Sequence, residues 1–456
     1  MWISDRKSGS SIIIMLIDVL IINISIILAY LLRFNFTLPS YNFDPYLQLF
    51  LWISLGSLFF LNMYQMYSIA PRSRWDNQFY SIVLVVLLTL MLSISLTYIS
   101  ANYAFPRSVF LLSGLIQLIL LSLWRYFLWR AAKKALGVQK AIIIGTGQET
   151  WEIAERFTEF PESHIEIIGV ITEEDSLTEA NSRKFPVMGS LDDFDKILKN
   201  NTVCNVVVIT PSLDAVLKEQ IVGYCYSSGK EVFLIPALYE VLLVKAELNL
   251  IDDMPVFGIK DSNGESNFIK RVLDLIVAAV VFIITLPIMI LIGLIIKIDS
   301  PGPIIYKQER VTKGGKLFTL YKFRTMVQNA EEDTGPVFAA EDDQRATSIG
   351  RILRLSRLDE LPQLVNVIRG DMSMVGPRPE RPFFVEQYVK EIYGYENRHR
   401  IKPGITGIAQ IAGKYNTEPR EKLVFDLLYA KRNNFWVDLQ ILLQTVKVLF
   451  IRDKAS

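Results

Sequence analysis

Four long apolar stretches open the chain, at about residues 11–32, 45–67, 79–100 and 108–128, each close to the ~20 residues that span a hydrocarbon core. Arg6 and Lys7 precede the first, Arg72 and Arg74 separate the second and third, and Arg125, Arg130, Lys133 and Lys134 follow the fourth. The other two connections are poorer in cations, which predicts both ends of this four-helix unit, residues 1–135, on the cytoplasmic side. No signal-peptidase-like site follows the first stretch, so it is expected to stay in the membrane. Asp18 is the one ionisable group expected within these helices, and the unit reads as an anchor, not a transport path.

From Lys140 the pattern changes to short apolar runs at 141–144, 165–171, 203–210 and 231–235, alternating with amphipathic segments near 149–160, 191–200 and 213–227. That alternation predicts a parallel, doubly wound, Rossmann-like α/β domain over 136–262. Gly145-Thr146-Gly147 after the first strand, with Glu173 or Glu174 ending the second, makes a partial dinucleotide fingerprint, but Thr150 stands where the third glycine belongs. Tyr226 and Lys230 form a Y-x-x-x-K, yet Gly229 puts the lysine beyond the helix end and the pair reads as coincidence. Packing or regulation is the expected role of this domain.

Residues 270–297 hold an apolar core, 275–296, that would reach ~33 Å as a straight helix. A plain fifth crossing would carry everything after it to the other face. Pro287 in the middle, with Lys270 and Arg271 at one end and Lys297 and Lys307 at the other, predicts instead a re-entrant hairpin that breaks at the proline and returns. Arg271 and Asp274, three apart, are expected to pair at headgroup level and offer a cation to a lipid phosphate.

Beyond it, residues 307–326 read as two strands around Lys313-Gly314-Gly315-Lys316, with alternation sending Lys322 and Arg324 to one face. Residues 331–343 are an acidic loop, and 435–450 an amphipathic helix suited to a membrane surface or to core packing. Leu361, Leu364, Val365 and Ile368 recur at helical spacing, predicting a helix over 359–369 that stops at Gly370. Pro362 then falls in its first turn and Asp359 at its N-cap, where the ionised form is favoured. Arg351, Arg354 and Arg357 upstream, Arg378 downstream, and Lys322 and Arg324 earlier set six cations about Asp359 and Glu360. Such company suggests phosphate chemistry, in which arginine binds oxygens bidentately and an acid holds a metal or attacks phosphorus.

The 456 residues carry a net charge of +1 and are 51% hydrophobic, which fits a membrane protein of about three domains and argues against nucleic acid as a partner. His164 and His399 are the only histidines, so a histidine-based zinc site is not expected. Cys204 and Cys225 form no C-x-x-C and are expected to be reduced and buried.

Over about 270–452 the motifs resemble the bacterial polyprenyl-phosphate sugar phosphotransferases, or phosphoglycosyl transferases. They are Lys270-Arg271 with Asp274, Ser300-Pro301-Gly302-Pro303, Gln308 with Arg310, Tyr321-Lys322-Phe323-Arg324-Thr325-Met326, Leu358-Asp359-Glu360-Leu361-Pro362-Gln363, the run from Gly370-Asp371-Met372 to Gly376-Pro377-Arg378-Pro379, and Lys402-Pro403-Gly404-Ile405-Thr406-Gly407. The preceding spans and α/β domain resemble the large, multi-domain branch. Two positions depart from relatives, Ile408 where tryptophan is common and Ala412-Gly413-Lys414 in place of an Asn-Gly-Arg stretch.

The resemblance implies an integral membrane helical bundle, a Rossmann-like cytoplasmic domain, and a mixed α+β catalytic domain over 263–456 on a re-entrant membrane helix. It implies that Asp359 attacks the sugar-bearing phosphorus of a UDP-sugar, releases UMP, and passes the sugar phosphate to undecaprenyl phosphate, with Asp359 also touching Mg²⁺ and Glu360 assisting. Glucose or galactose is the expected sugar. Arg354 and Arg378, then Lys322 and Arg324, are the expected phosphate ligands; Arg271, Asp274, Pro287, Gln308 and Arg310 belong to the acceptor and membrane side. Asp371 is expected to cap or pair within its own turn. A multi-pass protein of the bacterial inner membrane with its catalytic domain in the cytoplasm follows, serving exopolysaccharide, capsule or O-antigen synthesis, and a homodimer is a further expectation. The rival is a non-catalytic scaffold or nucleotide-sensing regulator of polysaccharide assembly, and a sugar-nucleotide oxidoreductase would need a working Tyr226.

Overall fold

The computed structural model describes residues 8–67, 74–100, 105–159, 164–173, 184–201, 203–244, 247–251, 254–258, 267–328, 330, 335, 343–413 and 418–448. Arg6, Lys7, Arg72, Glu174, Lys414 and most of the acidic stretch 331–343 lie outside them. The chain divides into two compact units, Met1–Ala237 and Leu238–Ser456.

The first unit begins with α1 (Ser8–Arg33), α2 (Ser40–Met63), α3 (Trp75–Ile99) and α4 (Arg107–Leu136), all long and apolar enough to cross a membrane. Polar contacts tie their inner faces: Asn23 Nδ2 donates to Ser54 Oγ at 2.9 Å, and Tyr46 OH donates to Asn23 Oδ1 at 2.6 Å. Such bonds hold helices together where apolar burial gives no preference for protein over lipid. Arg125, expected after the fourth span, lies instead inside α4, where it is buried, pairs with buried Asp18 of α1 and donates to the Met66 carbonyl. An apolar bundle cannot hold the Asp18 charge alone, and a cation from the facing helix is the arrangement that neutralises it.

A five-stranded parallel sheet follows, built of β1 (Gln139–Ile144), β2 (Ile165–Thr172), β3 (Val187–Ser190), β4 (Cys204–Ile209) and β5 (Glu231–Leu234) in the order β3-β2-β1-β4-β5. α5 (Gly147–Thr158), α6 (Phe194–Asn200) and α7 (Ala215–Ser228) cover it, which is the doubly wound fold that the alternation predicts. β3 escapes the pattern because its four half-buried residues include Gly189 and carry no alternation. The fingerprint loop is knitted shut: Thr146 N donates to Ser212 Oγ, Ser212 Oγ donates to Thr146 O, and Thr150 Oγ1 donates to the same carbonyl. Tyr226 stands 89% exposed while Lys230 Nζ turns away to the Cys204 carbonyl at 2.7 Å, so the two form no joint site. Cys204 and Cys225 are free and buried, as expected.

The second unit holds α8 (Leu238–Leu243), the hairpin β6–β7 (Glu247–Ile251, Met254–Gly258), α9 (Asn267–Asp299) and the hairpin β8–β9 (Ile305–Val311, Leu317–Phe323). Next come α10 (Ser348–Ser356), α11 (Gln363–Arg369), β10 (Ser373–Val375), α12 (Pro382–Glu391), β11 (Gly404–Thr406), α13 (Ile408–Ala412), α14 (Pro419–Arg432) and α15 (Phe435–Val448). α8 packs through Val241 on Tyr395, Leu423 and Leu427, so the chain before residue 263 already contributes to this unit's core.

α9 is continuous where a break at Pro287 is expected. A proline removes one helical hydrogen bond, but opening the helix in an apolar setting would orphan several backbone groups, so the chain stays helical through it. Its two ends dock at opposite ends of α11. Arg271 donates to the Val367 and Ile368 carbonyls at the end of α11 (2.6 and 2.8 Å), while Met289, Ile292 and Ile296 pack with Phe323, Leu353 and Leu361 just before α11 begins.

Candidate active site

α10 ends at Arg357, a non-glycine residue in the left-handed region at φ 55°, a conformation that costs about 1 kcal/mol and reverses the chain. A single 3-10 turn, Leu358–Glu360, follows, and α11 starts only at Gln363. The expected unbroken helix over 359–369 is thus divided, because Pro362 has no N–H to give the Leu358 carbonyl. Leu361 N takes that carbonyl at 3.3 Å, tightening the turn. Leu358 and Leu361 pack against α9, and Asp359 and Glu360 face β9.

The two acids have different surroundings. Glu360 Oε1 receives Lys322 Nζ at 3.0 Å and Arg378 Nη2 at 2.9 Å. Asp359, 8% exposed, has Lys322 Nζ 3.9 Å from Oδ2 as its nearest ion-pair partner among the described residues. Burial pushes the Asp359 carboxyl up to about 6 against the pull of Lys322, Arg378 and Arg354. Burial acts upward on Glu360 too, but Lys322 and Arg378 outweigh it and hold that group well below the usual carboxylate range. The pair therefore splits into a neutralised acid and a basic, under-bonded carboxylate that is still mostly ionised at pH 7.

Lys322 reaches the pair because Asn366 pins α11 to β9, its Oδ1 accepting from Tyr321 N at 3.1 Å and its Nδ2 donating to Thr319 O at 2.7 Å. Arg378 reaches it from the loop after β10. Gly376 and Gly404 let β10 and β11 approach closely, since a Cβ on Gly404 would sit 2.0 Å from Gly376 N. Buried Arg398, paired with Asp426 at 2.9 Å, donates to the Arg378 carbonyl, and Arg310 donates to the Pro379 carbonyl at 3.1 Å and to Gln308 Oε1 at 2.6 Å. Arg310 thus supports this loop, with Gln308 bonded to its guanidinium.

Two further expectations are corrected. Arg324 turns away from Lys322 and donates to the Ser300, Pro301 and Ile296 carbonyls, closing the end of α9, because β9 ends at Phe323 and alternation no longer holds. Arg271 and Asp274 do not pair with each other. Asp274 Oδ1 accepts from Ser373 Oγ (3.0 Å) and Met374 N (2.8 Å), while Arg271 caps α11, because buried donors and carbonyls at these strand and helix ends need partners. Asp371 Oδ2 lies 3.4 Å from Asn366 Nδ2, in keeping with pairing inside its own turn. Asn366, Arg398 and Asp426 carry no sequence signal, since each is a buried polar residue in an otherwise ordinary helix or turn, and Gln363 stands in the motif that follows Leu358 without a role of its own. Gln363, 3% exposed and three residues after Glu360, makes no side-chain hydrogen bond among the described residues. Those residues contain no cluster of three or more Asp, Glu, His or Cys, but one or two carboxylates with substrate phosphates are the usual Mg²⁺ ligands, and Asp359 fits that set.

A bacterial sugar transferase family model matches residues 265–452, the segment that carries this constellation, and a CoA-binding domain model matches residues 60–236. The chain is 31% identical over 348 residues, 74% of its length and 72% of the relative's, to a UDP-glucose:undecaprenyl-phosphate glucose-1-phosphate transferase of Xanthomonas campestris pv. campestris. The chain belongs to the bacterial sugar transferase family. Other members of that family include a UDP-galactose-lipid carrier transferase of Erwinia amylovora, 30% identical over 78% of this chain and 77% of the relative. A UDP-N-acetylgalactosamine-undecaprenyl-phosphate N-acetylgalactosaminephosphotransferase of Aeromonas hydrophila is 36% identical over 51% of this chain and 55% of its own length, so the match spans only about half of that relative. These three relatives are named for three different sugars.

Proposed function

We propose that this sugar transferase moves a hexose 1-phosphate from a UDP-sugar to undecaprenyl phosphate through a phosphoryl-aspartate on Asp359, with glucose and galactose the favoured sugars. The observation that carries this reading is the split dyad: Asp359 is basic and under-bonded while Glu360 holds Lys322 and Arg378 beside it. The named activities of the relatives support the same reaction class.

In the first step an Asp359 oxygen bonds to the sugar-bearing phosphorus as the bond to the bridging oxygen breaks, and UMP leaves with that oxygen and both electrons of the broken bond. In the second, a phosphate oxygen of the lipid bonds to the same phosphorus and the Asp359 carboxylate is expelled unchanged. Splitting one displacement into two in this way is nucleophilic catalysis. Lys322 and the half-exposed Arg378 face the dyad and take phosphate oxygens, offsetting the repulsion between a carboxylate and an anionic diphosphate. Arg354 adds its field at Asp359. Mg²⁺, held by Asp359 and the diphosphate, would supply further charge neutralisation.

The site faces the cytoplasm of the inner membrane in this proposal, supported by the cations flanking the spans. α9 enters and leaves by that same face, which is supported by the docking of both its ends near α11; straight, residues 271 to 292 would lie about 31 Å apart. The test is UMP release in nanodiscs with undecaprenyl phosphate, Mg²⁺ and a panel of UDP-glucose, UDP-galactose and their N-acetylated counterparts. Release with at least one donor, absent in Asp359→Asn, is the expected result; equal release by the variant would overturn the assignment.

A further inference from the structure

We propose that Arg271, Lys313 and Lys402 form a phosphate-binding site at the foot of α9, separate from the Asp359 site, that takes the phosphate of a membrane lipid. Gly370, at φ 97°, ends α11 and exposes bare backbone there; a Cβ on it would lie 3.5 Å from Arg271 Nη2 and 3.7 Å from Lys402 Nζ, so both cations converge on one open point. Arg271 is fixed by its bonds to Val367 O and Ile368 O, which leave other guanidinium N–H donors for a ligand. Lys313, at the tip of the β8–β9 hairpin, is brought to the same turn by Thr312 Oγ1, which donates to the Asp371 carbonyl at 2.6 Å.

No carboxylate within ion-pair distance balances Lys402 or Lys313 among the described residues. The two acids nearby are otherwise engaged, Asp274 with Ser373 and Met374, and Asp371 with Asn366. Burial first, then the neighbouring Arg271 and Lys313 charges, lower the Lys402 amine against the opposite pull of Asp274 and Asp371, and neither of these acids pairs with it to act as a direct counter-ion. A phosphate supplies that counter-ion, and a fork-shaped guanidinium with two ammonium groups suits its oxygens.

The ligand comes from a lipid because of where the site lies. Phe268, Ile269, Val272 and Ile276 on the adjoining turns of α9 are exposed and apolar, marking the level at which headgroups meet hydrocarbon. α11, seven residues and about 10 Å long, separates the site from Asp359. An acceptor held here therefore waits and is not in line for attack. A polyprenyl phosphomonoester and a phospholipid phosphodiester share the chemistry; only the name acceptor rests on the proposed function.

The test needs no turnover. Full-length protein in maltoside micelles is treated with an amine-acylating reagent, and Lys402 modification is read by mass spectrometry with undecaprenyl phosphate, phosphatidylglycerol or undecaprenol added. Protection of about tenfold by a phosphate lipid and none by undecaprenol is expected. Preference for the monoester assigns the site to the acceptor, and equal protection assigns it to headgroups. No protection by either phosphate lipid overturns the proposal. If the protein proves to be a transferase, Lys402→Gln with Lys313→Gln raises KM for undecaprenyl phosphate in the acceptor case and leaves KM for the UDP-sugar unchanged. Absence of transferase activity would sink the reaction assignment and leave the labelling result standing.

Discussion

Lys322 Nζ lies 3.0 Å from Glu360 Oε1 and 3.9 Å from Asp359 Oδ2, so one lysine serves two adjacent acids unequally. Glu360 takes the cations and Asp359 keeps its basicity. Asp359→Asn is expected to lower turnover at least about a thousandfold, as loss of a covalent nucleophile does. The same change should raise Tm, because a neutral amide relieves a buried charge while Lys322 keeps Glu360; the gain is on the order of 1–3 kcal/mol. Differential scanning fluorimetry beside the UMP assay checks both directions.

Glu360→Gln should behave oppositely in stability. It strips Lys322 and Arg378 of their shared carboxylate, costing about 1–3 kcal/mol for lost charge-assisted bonds. Activity falls as well, since both cations lose their fixed positions. A variant as stable as wild type would show that the contact contributes nothing.

The pH dependence follows from Asp359. With its carboxyl near 6 in the free protein, kcat/KM should sit at a plateau above pH 7 and fall about tenfold for each unit below 6, as the nucleophile is protonated. The folded value lies above the unfolded one, so the protonated folded state is favoured. This group's contribution to stability therefore increases as pH falls from about 6 toward the ordinary carboxylate value, and Asp359→Asn should lack that trend.

Much of this was legible in the residues. The apolar stretches, the α/β alternation, and the cations about Asp359 predict the right elements, because each depends on periodicity or charge along a short segment. What the pattern missed lies in side-chain direction across distant segments. Arg324 and Lys322 alternate as expected only while β9 lasts, and Arg125 reads as a flanking charge until Asp18 is seen opposite it. Pro287 has the local chemistry of a breaker, but the apolar setting of α9 keeps the backbone hydrogen-bonded through it.

Arg324 offers a sharp contrast with a phosphate ligand. Arg324→Met should lower stability by about 1–3 kcal/mol, through the unpaired Ser300, Pro301 and Ile296 carbonyls, and leave KM for the UDP-sugar within about twofold. A large KM increase in a well-folded variant would return Arg324 to the substrate.

Breaking the Asp18–Arg125 pair should cost about 3–5 kcal/mol for either Asp18→Leu or Arg125→Met alone, with much of it recovered in the double variant. Thermal aggregation midpoints in detergent, read for all four proteins, give the coupling.

The covalent step itself is tested most directly by mixing wild-type protein with its UDP-sugar and no lipid acceptor, then measuring the intact mass and the peptide containing Asp359. The account predicts one equivalent of UMP released and a gain of one sugar phosphate on Asp359, discharged when undecaprenyl phosphate is added. UMP release that requires the acceptor from the outset, with Asp359 never modified, would contradict it.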